Sequence, residues 1–87
     1  PVHQIELGST EIFLSPGENY RLSARNIDGF GAIDWEITAQ IGDGFEMVGL
    51  ESLIKVSEDA KPGDMCAVKA YSVGNPEVYS IVIVKVK

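Results

Sequence analysis

Apolar and polar residues alternate along this chain in short runs of five to nine positions, and no window of eleven or more keeps a helical period. The runs are separated by turn residues at the spacing of an all-β domain. Val2 to Leu7 predicts a first strand, stopped at Gly8-Ser9. Glu11 to Leu14 continues it up to Ser15-Pro16-Gly17, and such a break would let the two halves pair with different sheets. Glu18 to Arg25 predicts the next strand, with Tyr20, Leu22 and Ala24 on one face. A turn spans Asn26 to Gly31. The clearest alternation runs from Ala32 to Ala39, where Ile33, Trp35 and Ile37 point inward and Asp34, Glu36 and Thr38 outward.

After Gly42-Asp43-Gly44 the pattern predicts strands over Phe45 to Val48 and Ser52 to Val56, with Leu50, Ile54 and Val56 in the core. Ser57 to Lys61 carries the signal of one helical turn, Ser57 as its N-cap and Pro62-Gly63 as its stop. Asp64 to Ser72 alternates with Cys66, Val68 and Ala70 on one side. Gly74-Asn75-Pro76 then turns the chain into a last strand, Glu77 to Lys87, where Val82, Val84 and Val86 share a face. Both faces are apolar near Tyr79 and Ile81, which predicts a bulge or two-sided burial there. No helix is long enough to connect parallel strands, so the expectation is a sandwich of two mostly antiparallel sheets with seven to eight short strands.

Length and composition narrow the picture. At 87 residues, 45% apolar and 23% charged, residues 1–87 are expected to form one domain. The net charge of −6, with seven scattered basic residues, disfavours nucleic acid and anionic lipid as partners. No run of apolar residues is long enough for a helical membrane span. The lone Cys66 excludes an internal disulfide. The start at Pro1-Val2-His3 reads as a domain excised from a larger protein.

Four pieces carry a resemblance. Leu14-Ser15-Pro16-Gly17-Glu18 is similar to a glycine-containing turn before a second strand, and Ile33-Asp34-Trp35-Glu36 to a strand with a buried Trp. Ala60-Lys61-Pro62-Gly63-Asp64 is similar to the loop before a penultimate strand, and Val82-Ile83-Val84-Lys85-Val86 to a closing strand. Together the run from Glu11 to Lys87 resembles the bacterial immunoglobulin-like domains repeated in intimin- and invasin-type adhesins and other surface proteins. The stretch from Gly42 to Leu53 departs from that pattern. Antibody-type domains fit less well, because paired cysteines are absent and position 64 is Asp rather than a corner tyrosine. The resemblance implies an immunoglobulin-like sandwich, a bacterial cell-surface or extracellular setting, and a spacer or adhesive role. Neighbouring domains of the same chain, or a host or cell-surface protein or glycan, would then be the partners.

Candidate chemistry is sparse. His3 is the one histidine, and Cys66 alternates with Val68 and Ala70 as a small core residue would. Asp34 and Glu36 share a strand face, and Glu58, Asp59 and Asp64 lie close in sequence. Paired acids could serve glycoside hydrolysis, but a small sandwich offers no cleft for a sugar ring. Asp28, Asp43 and Asp64 are loop acids that could meet calcium's demand for oxygen, without any D-x-D-x-D-G loop. One His and one Cys cannot close a zinc shell. Gly42-Asp43-Gly44 has no helix behind it to hold a phosphate and reads as a turn. Trp35 reads as a core pin. Tyr71, Tyr79, Phe30 and Phe45 are freer, and Tyr71 and Tyr79 are placed to form a cross-strand pair. No catalytic, cofactor or metal residue is assigned, and the expected role is non-catalytic. The alternative is an accessory or carbohydrate-binding domain of a secreted carbohydrate-active enzyme, which would show a row of exposed aromatics.

Overall fold

A computed structural model describes residues 5–26 and 31–87, the side chain of Leu50 excepted. His3, Asp28, Phe30 and the centre of the Asn26–Gly31 turn lie outside the described residues. Among the described residues, nine strands form and no α-helix. They are β1 (Ile5–Leu7), β2 (Glu11–Leu14), β3 (Asn19–Arg21), β4 (Ala24–Asn26), β5 (Ile33–Ile41), β6 (Phe45–Val48), β7 (Leu53–Val56), β8 (Met65–Ser72) and β9 (Tyr79–Val86). A four-stranded sheet has the order β2-β9-β8-β5, a three-stranded sheet the order β3-β7-β6, and β1 pairs with β4. All pairs are antiparallel except β2 with β9, which runs parallel from Glu11↔Ile83 to Leu14↔Val86.

The count exceeds the expected seven to eight because two strands change partners midway. The Gly8-Ser9 break sends β1 to β4 and β2 to β9, as the sequence suggested. Glu18 to Arg25 also splits, at Leu22-Ser23. Leu22 N–H is drawn to Ser52 O at 2.7 Å, while Ser23 O accepts from Gly8 N–H at 3.0 Å, so β3 stays with β7 and β4 turns to β1. Within this strand Leu22 is buried, Ala24 half-buried, and Tyr20 remains 39% exposed.

One core joins the sheets. Ile12, Leu14, Trp35, Cys66, Val68, Ala70, Val82, Val84 and Val86 come from the inner face of the larger sheet; Leu22, Phe45, Ile54 and Val56 come from the layer opposite. β8 and β9 alternate buried and half-buried side chains along most of their length, as a sheet packed on one side must. Ile33 and Ile37 pack against the core half-buried. Of the bulge or two-sided burial expected near Tyr79 and Ile81, the bulge is absent: β8 and β9 keep one register from Met65↔Lys85 to Tyr71↔Tyr79. The register shift falls instead on β5, between Ile37 and Ala39. That extra residue reverses the alternation, so Ala39 and Ile41 face out where an unbroken strand would turn them in.

Between β6 and β7 a 3₁₀ turn, Gly49–Glu51, ends on Ser52 in the left-handed region at φ 55°. Ser57 caps as expected, its Oγ accepting from Asp59 N–H at 3.1 Å, and the segment forms a single turn closed by Ala60 N–H to Ser57 O at 3.1 Å. Ala60 is buried there, and Pro62 bars any continuation.

Two glycines separate backbone strain from crowding. Gly42 (φ +88°) has no room for a side chain: a Cβ would lie 2.6 Å from the Asp64 carboxylate, which accepts from Lys61 N–H at 3.0 Å. Gly63 (φ +96°) faces open space. Gly63→Ala should therefore cost about 1–2 kcal/mol for the left-handed backbone alone. Gly42→Ala should cost about 1 kcal/mol more, because the Asp64–Lys61 hydrogen bond must also give way. Urea midpoints of the two variants check the order; equal losses would refute it.

Candidate functional site

The sheet register arranges the candidate residues on the outward face of the β2-β9-β8-β5 sheet. Asp34 of β5 stands opposite Tyr71 of β8, and Tyr71 opposite Tyr79 of β9. One step along, Glu36 stands opposite Lys69, and Lys69 opposite Ile81. The tyrosines are thus cross-strand neighbours, as the hairpin turn implied. Lys69 Nζ leans over both rings, 5.6 Å from the Tyr71 centroid and 4.8 Å from that of Tyr79. Such cation–aromatic contacts contribute about 0.5–1 kcal/mol when exposed. Tyr79 is 53% exposed and Tyr71 half-buried.

Asp34 does more than decorate the surface. Val73 N–H donates to Ala32 O at 3.0 Å, so Asp34 and Glu36, in step with Ala32, direct their backbone groups at β8. Trp35 N–H therefore points away from β8, and Asp34 Oδ1 accepts it at 2.7 Å beside the Gly49 turn. Asp34 Oδ2 accepts from Tyr71 OH at 3.3 Å. Burial, and then the adjoining Asp34 carboxylate, push the Tyr71 phenol above its ordinary value. The aspartate satisfies a donor on a stretch of the β5 edge that Gly49 also packs against. No sequence signal distinguishes this Asp from an ordinary outward charge.

Further along the same face lie Phe13 and Ile41, 53% and 62% exposed, with Met65, Ala67, Ile81 and Ile83 half-buried between them. Lys85 Nζ reaches Glu11 Oε2 at 2.9 Å and lies 5.8 Å from the Phe13 ring centroid.

The remaining candidates disperse. Trp35 is 7% exposed between the sheets, its Nε1–H donating to Ser52 Oγ at 3.0 Å. Phe45, expected among the freer aromatics, is buried: it opens β6 opposite Val56 and joins the core. Its alternation with Glu46 and Met47 carried that signal. Asp43, Asp59 and Asp64 line an open pocket of about 380 Å³ with Lys61, while Glu58 lies against Gly17. Among the described residues no three His, Cys, Asp or Glu side chains gather closely enough to hold a metal ion.

Cys66 is 1% exposed on the inner face, and burial pushes its thiol up to about 11. Between pH 9 and 11 an unfolded chain loses this proton while the folded chain keeps it, so stability falls as pH rises through that window. The loss should reach about 2 kcal/mol. Tyrosines also titrate in alkali, and comparing urea midpoints of the wild type and Cys66→Ala at about pH 8 and about pH 10.5 isolates the thiol. An identical pH dependence in both proteins would contradict the assignment.

Compared with known protein families and with characterised proteins, the chain matches none.

Proposed function

We propose that this chain is a bacterial immunoglobulin-like module, a non-catalytic spacer or adhesive domain of a cell-surface or secreted protein. One observation carries the reading. Ser80 Oγ donates to Ile5 O at 2.7 Å, which puts the first strand beside the start of β9, while Lys87 N–H donates to Leu14 O at 2.9 Å at the far end. From Ser80 to Val86 the strand covers about 20 Å. Ile5 and Lys87 thus lie at opposite ends of β9, in a body measuring 41 × 19 × 18 Å. A module so arranged passes the chain from end to end, and serial copies extend as a rod. The four-piece resemblance and the splitting of the first strand between partners support the same reading.

The alternative of a sugar-binding accessory domain draws on exposed Tyr79 beside Tyr71. It is weaker, because the Lys69 ammonium stands over both rings where a sugar would stack.

Joining three copies in tandem tests the spacer role. Small-angle scattering should show maximum length growing steadily with copy number, by at least about 20 Å per copy, the span of β9 between its Ile5 and Lys87 ends. A particle whose length does not grow with copy number would overturn the reading, and glycan-array binding abolished by Tyr79→Ala would favour the alternative.

A further inference from the structure

Each half of the first strand is held by a single neighbour. Among the described residues β1 pairs with β4 and β2 with β9, and both halves lie at the margin of their sheets. The segment Ile5–Leu14 can therefore leave without unpairing any other two strands. It is a core element all the same, because Ile5, Ile12 and Leu14 are buried. Its departure opens a slot along β4 and β9 whose apolar sockets, backbone partners and register fit this one segment. A foreign strand could match the ladder, but it would not fill the three sockets at their spacing.

The turn that follows is built to open. Glu18 N–H donates to Ser15 O at 3.0 Å, with Pro16 and Gly17 at the two central positions. Gly17 stands at φ +83°, which makes the turn type II. In such a turn the proline already has an extended backbone, its φ fixed by the ring. Only Gly17 must rotate for the chain to run straight from Leu14 into β3, and glycine takes either sign of φ about equally well. Straightening gives up the Glu18–Ser15 hydrogen bond and that of Gly17 N–H to Val56 O at 3.0 Å, so the closed form prevails at low concentration.

We infer that Ile5–Leu14 exchanges between two copies of this chain, each lending its first strand to the slot in the other. The exchange remakes every contact of the closed fold: β1 with β4, β2 parallel to β9 from Glu11↔Ile83 to Leu14↔Val86, and Lys87 N–H with Leu14 O. Its balance therefore rests on the two hinges and on concentration. Because β2 ends beside Lys87 and only four residues separate it from β3, the two bodies meet by that end. Asp64 O accepts from Val86 N–H at 2.8 Å, which places the pocket of Asp43, Asp59 and Asp64 at the same end. Like charges approach there, so added salt favours the exchanged form. Exchange passes through the opened strand and bares three core side chains, so it is slow in buffer and fast near the unfolding midpoint.

A cross-link tests the exchange. Phe13→Cys and Lys85→Cys are introduced together at Cα partners of β2 and β9, in a Cys66→Ala background that leaves no other thiol. Neighbouring strands lie about 4.8 Å apart, within disulfide reach. The reduced chain is held at millimolar concentration in high NaCl near its urea midpoint, diluted out of urea, and separated by gel filtration before oxidation. The expected result is a dimer whose disulfides join its two chains on denaturing gels without reductant, while the monomer fraction links only within itself. No dimer, or a dimer that links only within each chain, overturns the inference. Gly17→Val shifts the balance in buffer. A β-branched residue at φ +83° disfavours the closed turn by at least about fivefold per chain, and its Cβ would lie 3.1 Å from Glu58 Cγ. Two hinges straighten per dimer, so the association constant should rise at least about twentyfold. An unchanged or lower constant overturns the role of the hinge, and if this variant does not fold, the cross-link in the native hinge still decides. The spacer reading is independent of every one of these outcomes.

Discussion

Trp35→Ala is expected to remove about 3–5 kcal/mol of stability, a large share of what a chain this small possesses. The indole lies between the two sheets at 7% exposure, beside a void of only about 10 Å³. Neighbours cannot close the hole without shifting both layers, so the lost burial and the cavity both count. The indole also anchors a strained element. Its N–H holds Ser52, a non-glycine residue at φ 55°, and Ser52 O accepts the Leu22 N–H at the point where β3 gives way to β4. Trp35→Phe should cost less, about 1–3 kcal/mol, because it keeps much of the volume but leaves Ser52 Oγ without its donor. Urea unfolding followed by far-ultraviolet circular dichroism is the measurement, since the chain has one Trp and its fluorescence vanishes with it. A loss below about 1 kcal/mol for Trp35→Ala would show that the indole is not the seam of the sandwich.

Leu14→Ala is expected to cost about 2–5 kcal/mol and to promote aggregation as well. Leu14 is 2% exposed at the end of β2, and its carbonyl receives Lys87 N–H. It pins a four-residue strand that lies along β9, whose closing run Val82-Ile83-Val84-Lys85-Val86 is rich in β-branched residues. Once β2 is loosened, that run presents unpaired backbone groups on an apolar strand, the condition that templates strand addition. Chemical unfolding should register the lost stability, and light scattering on gentle warming should rise earlier than in the wild type. Leu14→Met, which conserves volume, should lose less than about 1.5 kcal/mol and scatter like the wild type. A Leu14→Ala protein that is destabilised but no more prone to scatter would show that β2 does not guard β9.

Much of the architecture was legible because alternation reports burial directly. Cys66, Val68 and Ala70, and likewise Val82, Val84 and Val86, repeat with period two, and each set is buried. Turn chemistry marked β6 between Gly44 and Gly49 without error at either end. Three things escaped. The split at Leu22-Ser23 leaves no mark, because both halves alternate in phase and only the partner changes. Of the bulge or two-sided burial expected near Tyr79 and Ile81, no bulge forms, while the β5 register shift between Ile37 and Ala39 left no mark in the alternation. Asp34's hydrogen bond to the next residue's N–H depends on which side of the strand faces β8, which pairing decides and composition does not.

The parallel pairing of β2 with β9 has a mechanical consequence. Tension applied at Ile5 draws β2 toward the Ser80 end, while tension at Lys87 draws β9 the opposite way. The hydrogen bonds between them lie across the pull and are loaded in shear together, rather than opened one after another like a zipper. A chain stretched along its length would therefore yield only at high force, and that resistance resides in the short contact between Glu11–Leu14 and the closing strand.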